Sequence, residues 1–161
     1  MYHNKTRLST LLVINGFLLL VDRIFKFLAT HHWDQTHLLN KFFGWQPSIN
    51  TGIAFGLPLP NQIIIILTIP IIIILIYLLW QPGYPFLKIC SLWLILTGAL
   101  SNLFDRLIYH HIIDYFLLFT AIINIADILI TIGFVLYLFD FYVLQTKIGG
   151  RQWSRSLADR H

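Results

Sequence analysis

Asp114 and Asp127 lie in the stretch IIDYFLLFTAIINIAD, which is otherwise mostly isoleucine, leucine and phenylalanine. Neither acid has a lysine or arginine within one helical turn along the chain. Two carboxylates brought together in a poorly solvated place cannot both ionise easily. Their pKa values separate and they share a proton. One can then activate water as a base, while the other polarises a carbonyl and protonates a leaving amine. That is aspartic-protease chemistry. A proton or ion pathway could use the same acids, and so could a structural helix lock.

Other polar residues stand close to acids. Asn102 precedes Asp105 by three residues, and Asn124 precedes Asp127 by three. Asn50 lies in NTGIAFG. An amide both donates and accepts, so it can hold an extended peptide or orient a carboxylate. Helix–helix hydrogen bonding in lipid is its plainer use. Asp22 and Lys26 have i,i+4 spacing and read as an ion pair. Arg106, beside Asp105, suits anchoring a loop or meeting a lipid phosphate. His110 and His111 are adjacent and point differently. With Asp114 they make a conceivable zinc site, but no HExxH motif is present. Ser101 reads as a small packing residue. No Ser–His–Asp signature, phosphate-binding glycine loop or nucleic-acid motif stands out.

These residues need a frame, and composition describes it. The chain has 161 residues, enough for one domain. Hydrophobic residues make up 57% and charged residues 11%, against about 25% charged in soluble domains. Mean hydropathy is +0.73, which indicates a membrane protein. All seven acids are aspartates. Cys90, the lone cysteine, can form no internal disulfide. A net charge of +4 fits membrane orientation better than nucleic-acid binding. Lys5 and Arg7 precede an apolar run, as in a cleavable signal. Asp22, Arg23 and Lys26 follow it directly without a small-x-small site, so it reads as a retained span.

Four apolar segments approach the roughly 20 residues that a membrane helix needs. The expected spans are about 9–30, 63–80, 86–104 and 121–144, with a cytoplasmic tail at 145–161. The expected fold is one all-α integral membrane domain with four transmembrane helices. The long outer loop between helices one and two has room for a small β element. Its aromatics, Trp33, Phe42, Phe43 and Trp45, suit the membrane surface. QPGYP is a tight turn between spans two and three, and Pro70 kinks span two. Basic residues near both ends place both termini in the cytoplasm. Asp22, Asp105, Asp114 and Asp127 then fall in the outer half of the membrane or at its edge.

The ordered motifs resemble the lipoprotein signal peptidase (signal peptidase II) family over nearly the whole chain. VDRIFK matches with Asp22 and Lys26, and NTGIAFG matches with Asn50 and Gly52. GALSNLFDR followed by IID matches with Asn102, Asp105, Arg106 and Asp114. NIAD matches with Asn124 and Asp127. The resemblance implies a catalytic pair at Asp114 and Asp127. It implies binding or supporting roles for Asp22, Lys26, Asn50, Gly52, Asn102, Asp105, Arg106 and Asn124. The implied reaction is cleavage before a diacylglyceryl-modified cysteine in a prolipoprotein, at the outer face of the bacterial cytoplasmic (inner) membrane. No metal or organic cofactor is implied. The expected partners are that substrate and membrane lipids, not nucleic acid, and the expected state is a monomer. Ser101, His110, Ile123 and Ile128 depart from the family's usual residues, and the interval between the two acids is shorter. A small transporter and a non-catalytic divergent paralogue are the alternatives.

Overall fold

Apolar runs punctuated by proline and glycine set the element boundaries. The computed structural model describes residues 2–52 and 59–158, with side chains for 7–52 and 59–143. The Lys5 side chain, the 53–56 part of NTGIAFG and the basic side chains of the 145–161 tail lie outside what is described. Helix α1 is Tyr2–His31, followed by strands β1 (His37–Asn40) and β2 (Phe43–Asn50). Helices α2 (Asn61–Leu79) and α3 (Phe86–Ile108) come next. Strands β3 (Ile112–Leu118) and β4 (Ala121–Ile123) lead into α4 (Ile125–Ala158).

Proline stands just ahead of two helices. The Pro60 carbonyl accepts from Ile63 and Ile64 N–H at 3.0 and 3.3 Å, opening α2. Pro85 precedes α3 in the same way. At the other end of α3, Tyr109 N–H donates to the Asp105 carbonyl at 2.7 Å. His110 then takes a φ of +63°, the left-handed turn that stops many helices. Glycine adopts that conformation without steric cost.

Helices α2, α3 and the 125–143 part of α4 are long and apolar enough to cross a membrane, with mean hydropathies of 3.0, 1.5 and 1.8. Helix α1 carries Asp22, Arg23 and Lys26 within two turns and falls outside that set. Helix α3 is the centre of the bundle and packs against the other three helices. Its Leu92, Leu96 and Ala99 form a core with Ile72 and Leu75 of α2.

The four strands form one antiparallel sheet in the order β1-β2-β3-β4. Ser48 faces Asp114 across the central pair, and Asn50 faces Ile112. The register shifts between Trp45 and Ser48, where Pro47 has no N–H for a ladder. The sheet rests on α1 through Ala29, Phe25, Trp45, Ile113 and Tyr115. Phe25 stacks on Tyr115 with ring centres 5.6 Å apart.

This sheet corrects the all-α expectation in one respect. Half of it comes from the link between α3 and α4, not only from the link between α1 and α2. Residues 121–123, assigned from sequence to the fourth span, pair as β4, and the helix begins at Ile125.

Glycines set the α3–α4 spacing. A Cβ on Gly98 would collide with the Ala126 carbonyl and come within 2.8 Å of Ile130 Cγ1. A Cβ on Gly133 would lie 2.7 Å from the Ser91 carbonyl. Small residues at such crossings let helix backbones approach closely. Gly98→Ala should therefore lower stability by about 1–3 kcal/mol, read as unfolding in detergent.

Candidate active site

The site is built around a buried cation. Lys26 on α1 is only 2% exposed. Its ammonium meets Asp105 Oδ2 at 2.7 Å, Asn102 Oδ1 at 2.9 Å and Asp22 Oδ2 at 3.1 Å. An ammonium has three hydrogens, and each has an acceptor here. The i,i+4 pair expected from sequence is thus present, but two partners from α3 complete it. Arg23 reinforces the cluster, with Nη1 at 2.7 Å from Asp105 Oδ1 and Nη2 at 3.4 Å from Asp22 Oδ2. Its guanidinium lies over the Phe104 ring at 5.1 Å.

Asp22 also gathers neutral donors. Ser101 Oγ donates to Oδ2 at 2.5 Å, and Tyr115 Oη donates to Oδ1 at 2.8 Å. The Ala126 N–H adds a bond at 3.3 Å. One carboxylate therefore ties α1 to α3, β3 and the start of α4. Burial and the Asp22 charge push the Tyr115 hydroxyl well above its usual range, so it stays protonated and donating.

Asn102 transmits this order to the first candidate acid. Lys26 can only donate, so Asn102 must present its oxygen to it. The amide nitrogen then faces Asp127, donating to Oδ1 at 2.8 Å. At the start of α4, Asp127 N–H donates to Asn124 Oδ1 at 2.9 Å. Asn124 N–H donates back to Asp127 Oδ2 at 3.2 Å. This is a reciprocal capping box with aspartate in place of the usual glutamate.

The cap uses the Asn124 oxygen and leaves its amide hydrogens available. They reach Asp114 Oδ1 at 2.6 Å and Asn102 Oδ1 at 3.3 Å. Asn124 therefore bonds both candidate acids. Asp114 is 2% exposed, and its other oxygen accepts from Asn50 Nδ2 at 3.0 Å. Burial first, and then the Asp127 charge, push the Asp114 carboxyl up to about 6. The two asparagine amides and Lys26 pull it the other way.

Arg106 holds the neighbouring loop. Its Nη2 donates to the Gly52 carbonyl at 2.5 Å, and its Nη1 donates to Asn61 Oδ1 at 3.3 Å. Asn61 Nδ2 returns a bond to the Arg106 carbonyl at 3.1 Å. Gly52 N–H donates to Asn50 Oδ1 at 3.1 Å, joining the loop to the acid pair. His110 lines a cavity of about 430 Å³ with Thr51, Leu59, Pro60 and Asn61. Among the described residues, no three His, Cys, Asp or Glu side chains group as metal ligands would.

The structure thus links all ten residues singled out in the sequence. Four further members escaped that reading. Arg23 was legible as a second charge inside an apolar run. Ser101 reads from sequence as a packing residue, and its hydrogen bond to Asp22 depends on which helix lies opposite. Tyr115 is adjacent to Asp114, but strand alternation sends the two to opposite faces. Asn61 carried no sequence signal, since its partner is Arg106 on another helix.

Two outcomes follow for stability. Lys26→Met leaves two buried carboxylates with less compensation. It should cost about 3–5 kcal/mol in detergent unfolding, the usual penalty for breaking a buried pair. Asp114 acts with the opposite sign. Its carboxyl ionises at 3.8 ordinarily and at about 6 in the fold, so its contribution to stability is lost as pH rises across that window. Asp114→Asn should therefore gain stability relative to the parent by about 2–3 kcal/mol between pH 4 and pH 7, a double difference measurable by thermal unfolding.

The family profile described as signal peptidase (SPase) II matches residues 14–143. A lipoprotein signal peptidase of Clostridium novyi (strain NT) is 31% identical over 141 residues, covering 80% of this chain and 93% of that protein. One from Burkholderia mallei (strain SAVP1) is 34% identical over 145 residues, covering 83% and 87%. A solved structure described as a bacterial membrane enzyme superposes with a TM-score of 0.76 at 25% identity. It covers 86% of this chain and 90% of its own.

Proposed function

The chain belongs to the signal peptidase II family, and from that premise we propose that it removes signal peptides from prolipoproteins by aspartic catalysis. Asp114 and Asp127 are the proposed catalytic pair. The observation that carries this reading is Asn124, whose one side chain and backbone N–H bond both carboxylates. An amide hydrogen bond to each acid fixes its direction, and the pair can then hold one proton between them. A water bound between the acids loses a proton to the ionised member and attacks the scissile carbonyl. The protonated member donates to that carbonyl, and a proton then reaches the departing amine. Base and acid are roles of the pair, because coupled groups titrate together.

The proposed substrate carries a diacylglyceryl-modified cysteine, and the cut falls just before it. Asn50, Gly52 and Arg106 hold the loop beside Asp114 and are placed to meet the peptide backbone. Asp22, Lys26, Asp105 and Asn102 hold the pair in position from beneath. In the proposed arrangement, α1 to α4 are four membrane spans, and 1–161 forms one integral domain. Both termini lie in the cytoplasm, and the 145–161 tail belongs to that side. The sheet then lies at the outer surface of the inner membrane, with Trp33, Phe42 and Phe43 exposed at the interface.

The main rival is a proton relay through the same acids. Its inward continuation would be Asn15 and Thr97, which hydrogen-bond at 2.9 Å below the cluster. Neither residue titrates: Thr97 donates to the Asn15 oxygen, and the Asn15 amide donates to the Leu11 carbonyl at 2.9 Å. The hydrolytic reading needs no such continuation into the inner half of the bundle.

Purified protein should cleave a lipidated prolipoprotein peptide. Asp114→Asn and Asp127→Asn should each lose at least about 10²–10⁴-fold in rate, the usual share of acid–base catalysis. A well-folded parent without cleavage, or an Asn variant at full rate, defeats the proposal.

A further inference from the structure

A cleft of about 750 Å³ opens at the opposite end of the bundle from Asp114 and Asp127. Leu11 of α1, Ile76 and Trp80 at the end of α2, and Ile89 and Trp93 of α3 are among its walls. Phe86 at its rim and Arg106 in the site are twenty residues apart on α3, roughly 30 Å along the axis. The cleft is therefore a separate feature of the fold.

Its walls are mostly apolar; the cation Arg7 is one of them, and a second cation, Lys88, touches a wall residue without lining the cleft itself. The Arg7 guanidinium lines the cleft and lies over the Phe86 ring at 5.6 Å. Lys88 Nζ lies 3.8 Å from the centre of Tyr84, another wall residue, and 5.3 Å from that of Tyr137. Aromatic faces stabilise cations but leave the positive charge uncancelled. All four ion pairs among the described residues belong to the Asp22–Asp105 cluster. Asp140, the acid one turn beyond Tyr137 on α4, pairs with neither cation.

We propose that this cleft binds one anionic glycerophospholipid, with its phosphate between Arg7 and Lys88 and an acyl chain along the apolar walls. The volume falls within the range of small-molecule sites, about 300–1,000 Å³. Trp80 and Tyr84 are amphipathic rings of the kind that mark a membrane–water boundary, so the mouth is at headgroup level. Basic pockets between membrane helices suit anionic headgroups. A signal peptide carries a basic amino-terminal region, which these two cations repel. Charge thus selects the lipid over the substrate's leader. The inference goes beyond the peptidase reading and does not depend on which groups cut the peptide.

The test uses the full-length protein in nanodiscs of neutral phosphatidylcholine. Either brominated phosphatidylglycerol or brominated phosphatidylcholine is titrated in, and quenching of Trp80 and Trp93 is followed. Each cation near an anionic headgroup contributes about five-fold. Half-quenching by the glycerol lipid should thus need roughly twenty-five-fold less label than by the choline lipid. Arg7→Gln with Lys88→Gln should erase that preference, and Arg7→Lys with Lys88→Arg should keep most of it. In a Trp80→Phe, Trp93→Phe protein, the selective quenching should vanish. Equal quenching by the two lipids overturns the proposal, as does a preference that survives the double glutamine variant. Displacement of the lipid by inorganic phosphate alone points to a bare anion site and also overturns it. Displacement by a basic signal peptide makes the cleft a peptide groove and overturns it as well.

Discussion

One ammonium inside the bundle holds the rest in register. A bare lysine charge in a low-dielectric interior costs several kcal/mol. Asp22, Asp105 and Asn102 surround the Lys26 nitrogen and offset that cost. Those acceptors lie on two helices, so the cation fixes how α1 meets α3. It also fixes which way Asn102 points, and through Asn102 the position of Asp127. Residues far from any bond to be broken thus determine where the candidate acids stand.

The second candidate acid arrives by a different route. Asp114 is carried on β3, whose neighbour β2 comes from a distant part of the chain. Alternation along β3 turns Asp114 toward Asn50 and Asn124, while Tyr115 turns toward Asp22. Asn124 joins the two routes. Its oxygen caps α4, and its nitrogen bonds Asp114. The local rule that starts a helix and the geometry of the candidate site therefore depend on the same amide. The close approach of α3 and α4 at Gly98 keeps that helix start against Asn102.

Much of this could be read from the chain. The Asp22–Lys26 spacing foretold an ion pair, and the three-residue interval from Asn124 to Asp127 is that of the capping box that opens α4. Both signals lie within one helical turn, where sequence distance and spatial distance agree. The pairing of residues 43–50 with 112–118 could not be read in the same way. It joins segments more than sixty residues apart, and hydropathy alone does not separate an isoleucine-rich strand from a helix. The start of α4 was placed early for that reason. His110 at +63° shows the converse case. Glycine adopts that turn without steric cost, and nothing in the histidine itself announces it.

The cluster around Lys26 also sets an order for biogenesis. Arg23 meets Asp105, which lies 82 residues later in the chain. At about 5–20 residues per second, a ribosome takes roughly 4–16 s to supply it. During that interval the nascent first helix holds three ionised groups without their later partners, and lipid is a hostile solvent for them. The charged cluster is therefore completed only once the third helix has been made.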